Sequence, residues 1–150
     1  MGSAMITKKQ RVICLIIFVI YILIVLYITV FRFGFYYDER RLNLTLFNDL
    51  IKVFRNSGAG EFIRLFLGNI GWFVPFGFLL PMLIKRKNMI IIMVTGMTFS
   101  FLIEAMQYIF YKGVAELDDF ILNTLGVAIG YLIYRLSQRG HSAPTERQSA

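Results

Sequence analysis

The sequence is poor in the side chains that most enzymes use for chemistry. Of 150 residues, one is cysteine and one is histidine. Cys14 lies inside an apolar run, so no intrachain disulfide can form and cysteine usage does not report the compartment. His141 lies in the polar tail. There is no His/Cys cluster at metal-ligand spacing, no glycine-rich loop followed by Lys-Ser/Thr, and no Ser-His or Cys-His pair. These absences exclude recognisable motifs for zinc binding, phosphate cradling and nucleophilic catalysis. No metal or cofactor is implied. Any chemistry has to be carried by carboxylates, and Asp and Glu number only nine against sixteen Lys and Arg.

What the chain does have is apolar surface. A 57% hydrophobic composition and a mean hydropathy of +0.65 are too apolar for an ordinary soluble domain and describe a small integral membrane protein. The formal charge of +7 would suggest a nucleic-acid partner in a soluble chain. Here the basic residues gather at the ends of apolar runs, where they act as topology signals and lipid-headgroup contacts, and a nucleic-acid role is excluded.

The expected fold is an all-α membrane protein with four transmembrane helices, spanning about residues 12–31, 62–84, 89–111 and 119–136. Residues 1–11 read as a cloning remnant (MGSA, ahead of a second methionine, Met5) and a cytoplasmic N-terminus, 12–136 as the membrane domain, and 137–150 as a polar cytoplasmic tail. Val12–Phe31 runs twenty residues without a charge, enough to cross a core of about 30 Å. No small-residue cleavage site follows it, so it reads as a retained anchor.

In the connection from Arg32 to Glu61, Leu46, Phe47, Leu50, Ile51 and Phe54 share one side of a helical projection. Asn48, Asp49, Lys52 and Arg55 take the other. This suits either a short amphipathic helix in the interface plane or a loop element packed on the helix ends. Ser57-Gly58-Ala59-Gly60 breaks it. The second span carries Gly68, Asn69, Gly71, Pro75, Gly77 and Pro81, which predicts a kinked helix buried against others. Gly126-x-x-x-Gly130 on the fourth is a close-packing spacing, and a homodimer through the glycines of the second or fourth span is compatible with it. With the N-terminus inside, nine basic residues fall on inner segments, Lys85-Arg86-Lys87 among them, and six outside, which favours both termini in the cytoplasm.

Two polar faces stand out against this background. Ser100, Glu104, Gln107 and Tyr111 follow at i, i+4, i+7 and i+11, and Asp119, Asn123, Gly126 and Gly130 repeat the spacing on the next helix. A charge at a membrane helix centre costs about 2.5–3.5 kcal/mol, so Glu104 should face protein or water, and the two faces should meet. Asn69 and Glu104 each lie seven residues from a helix end at the outer side, about 10 Å deep at the helical rise. Structural explanations compete. Asp118 and Asp119 suit helix-start capping. Asn69, Ser100, Gln107 and Asn123 suit interhelical hydrogen bonding. Glu104 could pair with Arg64 or Lys112, or stay protonated.

Leu67–Pro81, LGNIGWFVPFGFLLP, resembles the N-x-x-x-F-x-P-x-G-F motif of the VanZ-like family. Ser100, Glu104 and Gln107, as S-x-x-x-E-x-x-Q, and the stretch Asp118–Tyr131, as D-D-x-x-x-N-T-L-G-x-x-x-G-Y, are similar to that family's second half. Leu44 and Leu46 lie in a loop segment where the family often has proline. Lys112 stands where an arginine before glycine is usual, keeping the charge but losing bidentate carboxylate or phosphate recognition. The resemblance implies a multi-pass bacterial membrane protein, with the founding member associated with low-level resistance to the glycopeptide teicoplanin.

The expected site is an outer-leaflet polar pocket of Asn69, Ser100, Glu104, Gln107, Lys112, Asp118, Asp119 and Asn123. Its expected partners are membrane lipids, a lipid-linked cell-wall precursor or a lipoglycopeptide. The competing class is a membrane enzyme acting on a lipid-linked envelope substrate, with Glu104 as general base and Asp118 or Asp119 orienting a water or cation. A transporter would need polar residues in the inner half, where few besides Thr95 and Thr98 occur.

Overall fold

The computed structural model describes residues 7–31, 36–84 and 88–140. The MGSA segment, Met5, Arg32, the Lys85-Arg86-Lys87 turn and the His141-bearing tail lie outside the described residues. The chain runs α1 (Lys8–Thr29), β1 (Arg41–Asn43), α2 (Asn48–Leu83), α3 (Met89–Ile109), β2 (Val114–Glu116) and α4 (Leu117–Gly140). All four helices are long and apolar enough to cross a membrane, and the fold is an all-α membrane protein with one small strand pair added.

α1 opens with a reciprocal cap: the Gln10 N–H donates to the Thr7 hydroxyl at 3.2 Å, and the Thr7 N–H to the Gln10 side chain at 2.9 Å. Only Cys14 and Val25 are buried on this helix, and most of its aliphatic surface faces outward. Two polar contacts fasten it to α2. Arg11 donates to the Leu83 carbonyl at 2.6 Å, satisfying an acceptor freed at the end of α2, and the Tyr21 hydroxyl donates to the Trp72 carbonyl at 2.6 Å.

The amphipathic segment around Leu46–Arg55 enters the fold as the first arm of α2. The Ser57–Gly60 break is a kink within that helix rather than its end: Gly58 takes φ 84 and ψ 176, which a residue with a Cβ rarely adopts. Beyond it the backbone stays helical through Pro75 and Pro81. This second arm packs on α4 backbone to backbone. A Cβ on Gly77 would stand 2.0 Å from the Val127 carbonyl oxygen, and one on Gly130 would stand 2.1 Å from that of Val74. The Gly126-x-x-x-Gly130 spacing is therefore occupied inside the chain, by α2. Around this contact Phe73, Phe76, Ile92, Ile103, Val127 and Tyr131 form the core, with Phe99 stacked on Phe76 at 5.3 Å between ring centroids.

At the end of the bundle where α3 stops and α4 begins, β1 and β2 pair in parallel, Arg41 opposite Val114, Leu42 opposite Ala115 and Asn43 opposite Glu116. The Tyr37 N–H donates to the Tyr111 carbonyl at 2.9 Å just beyond the ladder. The long connection after α1 thus has a structural task, which is to close this end of the bundle by clasping the α3–α4 turn.

Candidate functional site

The polar residues at the clasped end divide into fasteners and a slot. Asp118, 1% exposed, accepts from the Phe47 N–H with both carboxylate oxygens, at 2.8 and 3.0 Å. It therefore serves the start of α2, where Phe47 sits at φ 54 with no side-chain cap of its own, while standing with Asp119 in the first turn of α4 as expected from the sequence. Asn123 donates to the Ser100 hydroxyl at 3.0 Å, joining the two polar faces in the buried α3–α4 interface. Asn69 donates to Asp119, joining α2 to α4. Gln107 donates to the Thr29 carbonyl at the end of α1, at 3.3 Å, and its buried Oε1 has no hydrogen-bond partner among the described residues.

Glu104 is placed differently. Its Oε2 accepts from the Glu116 N–H of β2 at 2.9 Å, and the ion pairs among the described residues lie elsewhere. Arg64 instead pairs with Glu61 one turn away on an exposed face, and the Lys112 ammonium stands 3.4 Å from the centre of the Tyr36 ring. The reason is local. The strand following α3 returns a backbone donor to Glu104, which supplies hydrogen bonding in place of a cation.

Beside Glu104 opens a slot of about 490 Å³. Leu42 and Leu44 from β1 and its exit, Phe101, Ala105 and Tyr108 from α3, Ala115 from β2, and Leu117 and Phe120 from α4 form its walls. Glu104 and Glu116 are its two acidic residues. The volume is that of a small-molecule site, apolar with a few convergent polar groups. Glu116, outside the helices, has its carboxyl pushed up to about 7, chiefly by burial and further by the carboxylates of Asp119, Asp49 and Asp118. It changes charge near neutral pH.

Of the eight residues expected to form one pocket, Glu104 lines the slot. Asn69, Ser100, Asp118, Asp119 and Asn123 tie together the helices around it, while Gln107 and Lys112 lie toward α1 and the preceding loop. Sequence reasoning missed Glu116, Leu42 and Leu44. The acidic run Glu116-Leu117-Asp118-Asp119 is a signal that could have drawn attention to the first. The two leucines enter only because β1 pairs with β2, which their local pattern does not disclose.

Four helices long and apolar enough to cross a membrane, clasped at one end beside an apolar slot, define a multi-pass membrane protein. The chain belongs to the VanZ/LLP1 family, whose family model matches residues 18–138. It is similar to Protein VanZ of Enterococcus faecium, 32% identical over 105 residues, covering 70% of this chain and 59% of that protein. The chain thus spans about three fifths of the length of that curated relative. No solved structure matches it.

Proposed function

We propose that this protein lies in the bacterial cell membrane with both termini cytoplasmic and contributes to glycopeptide resistance. In this reading the slot engages an amphiphile, either an acylated drug of the teicoplanin kind or a lipid-linked cell-wall precursor. The observation that carries the reading is the slot itself, an apolar recess of about 490 Å³ lined by Glu104 and Glu116 among apolar side chains, beside the clasp that closes the α3–α4 end of the bundle. Membership of the VanZ/LLP1 family supplies the link to resistance. An acyl segment would lie against Phe101, Ala105 and Phe120 while a polar head bonds Glu104. Asn69, Ser100, Asp118, Asp119 and Asn123 would hold the walls. Binding drug or precursor at the membrane surface would lower the drug available to its target. The test is teicoplanin susceptibility of cells making wild-type protein or Glu104→Gln at equal membrane levels; unchanged resistance in the variant would sink the role assigned to the slot.

One observation favours a second reading. Two carboxyl groups share the slot, and that of Glu116 titrates near neutrality, as a general acid or base should. An enzyme acting on a lipid-linked envelope substrate would lose turnover in both Glu104→Gln and Glu116→Gln. A binding protein would show no turnover to lose.

A further inference from the structure

The slot carries an electrostatic pattern beyond its size. Among the described residues, its only carboxyl groups are Glu104 and Glu116, and no lysine or arginine pairs with either. The described ion pairs, Lys52 with Asp49 and Arg64 with Glu61, lie elsewhere. Burying two carboxyl groups in apolar walls with no cation is costly unless they stay neutral or a cation arrives from outside. At the rim the sign reverses. Arg40, one residue before β1, places its guanidinium 5.6 Å from the ring centre of Tyr108, and that ring forms part of the slot wall. The same guanidinium stands 5.3 Å from the Tyr111 ring.

We infer that the slot selects an aminophospholipid, an amphiphile whose head carries a primary ammonium beside a phosphate, with the ammonium at Glu104 and Glu116 and the phosphate at Arg40. This rests on the slot being an amphiphile-binding site, as proposed above, and adds a membrane lipid, chosen by its head group, to the drug and the precursor as occupants. Charge complementarity decides among occupants. An anionic head without an amine would face two carboxyl groups at the floor. A calcium or magnesium ion would need about six or more oxygen ligands, and walls of Leu42, Phe101 and Phe120 cannot complete that shell. A primary ammonium needs only two or three acceptors and is tolerated against aromatic faces such as Phe101, Tyr108 and Phe120.

The experiment uses the full-length protein in mild detergent, supplied with equimolar phosphatidylethanolamine and phosphatidylglycerol of identical acyl chains. Retained lipids are counted by native mass spectrometry. Wild type is compared with Glu116→Gln, Glu104→Gln, Arg40→Gln and the slot-filling Ala105→Trp, each checked for wild-type helix content. Glutamine at 104 keeps the acceptor for the Glu116 N–H, so the clasp is retained. The expected result is about tenfold preference for phosphatidylethanolamine in wild type. That preference should fall toward parity in the two glutamine variants at the floor, Arg40→Gln should weaken retention of both lipids, and Ala105→Trp should retain neither. Equal retention of the two lipids by wild type, blocked by Ala105→Trp, overturns the head-group assignment while leaving the slot as a lipid site. Retention by Ala105→Trp equal to wild type removes the slot reading, and this inference with it.

Discussion

Both carboxylate oxygens of Asp118 close on the backbone N–H of Phe47, across 71 residues of sequence, and this contact joins the first turn of α4 to the first turn of α2. With the Arg41–Val114 to Asn43–Glu116 ladder it fixes the strand that forms one wall of the slot. The clasp and the slot are therefore one construction, and each can be tested separately.

Asp118→Ala removes the charged acceptor of the Phe47 N–H, a hydrogen bond worth about 1.5–3 kcal/mol. Asp118→Asn keeps an acceptor and should lose less. Thermal unfolding in detergent, followed by circular dichroism, should rank wild type above Asn above Ala. Equal midpoints would mean that Phe47 finds another acceptor.

At Gly77, Gly126 and Gly130 the α2–α4 contact admits no side chain. Gly130→Ala puts a methyl 2.1 Å from the Val74 carbonyl oxygen, where only a backbone shift can relieve it, so a loss of at least about 1–3 kcal/mol is expected. Gly71→Ala is the control, because a Cβ there meets nothing within 4 Å. Folded yield after extraction should drop for the first and hold for the second.

Glu116 links stability to pH. Its carboxyl stands at about 7 in the folded protein against an ordinary 4.5, so the folded state holds its proton more tightly than the unfolded chain does. The contribution is complete below about pH 4.5 and is lost as pH rises through about 7. The wild-type unfolding midpoint should decline between those values, and Glu116→Gln should flatten that decline. A slope unchanged in the variant would assign the titration to another group.

The Ser100–Asn123 bond is a test of polar pairing inside the bundle. Ser100→Ala, Asn123→Ala and the double variant form a cycle whose coupling should be about 0.6 kcal/mol, the usual value for interhelical hydrogen bonds in membranes. Zero coupling would mean that each group finds its own backbone acceptor.

The helices were legible in the sequence because lipid imposes length and uniform apolarity, and those survive any tertiary arrangement. The meeting of Ser100 with Asn123 was legible too, since helical spacing put each on a polar face and polar faces in lipid seek one another. The break at Gly58 could be seen, but not that the helix resumes directly beyond it. What stayed hidden was the clasp. Arg41–Asn43 and Val114–Glu116 are three-residue strands whose pairing is set by where α2 and α3 bring them, not by local propensity. The slot wall at Leu42 and Leu44, the role of Glu116, and the backbone donor that replaces a cation at Glu104 all depend on that pairing.

A parallel pair cannot be closed by a tight turn, and here the crossover between β1 and β2 is the whole of α2 and α3. During synthesis, at about 5–20 residues per second, β1 and Phe47 leave the ribosome roughly 4–14 s before β2 and Asp118. For that interval Leu42 and Leu44 have no partner strand and the recess beside Glu104 has no wall. The slot comes into being only when the fourth helix starts to insert, so a nascent chain stalled after α3 carries most of the protein's helices and no slot.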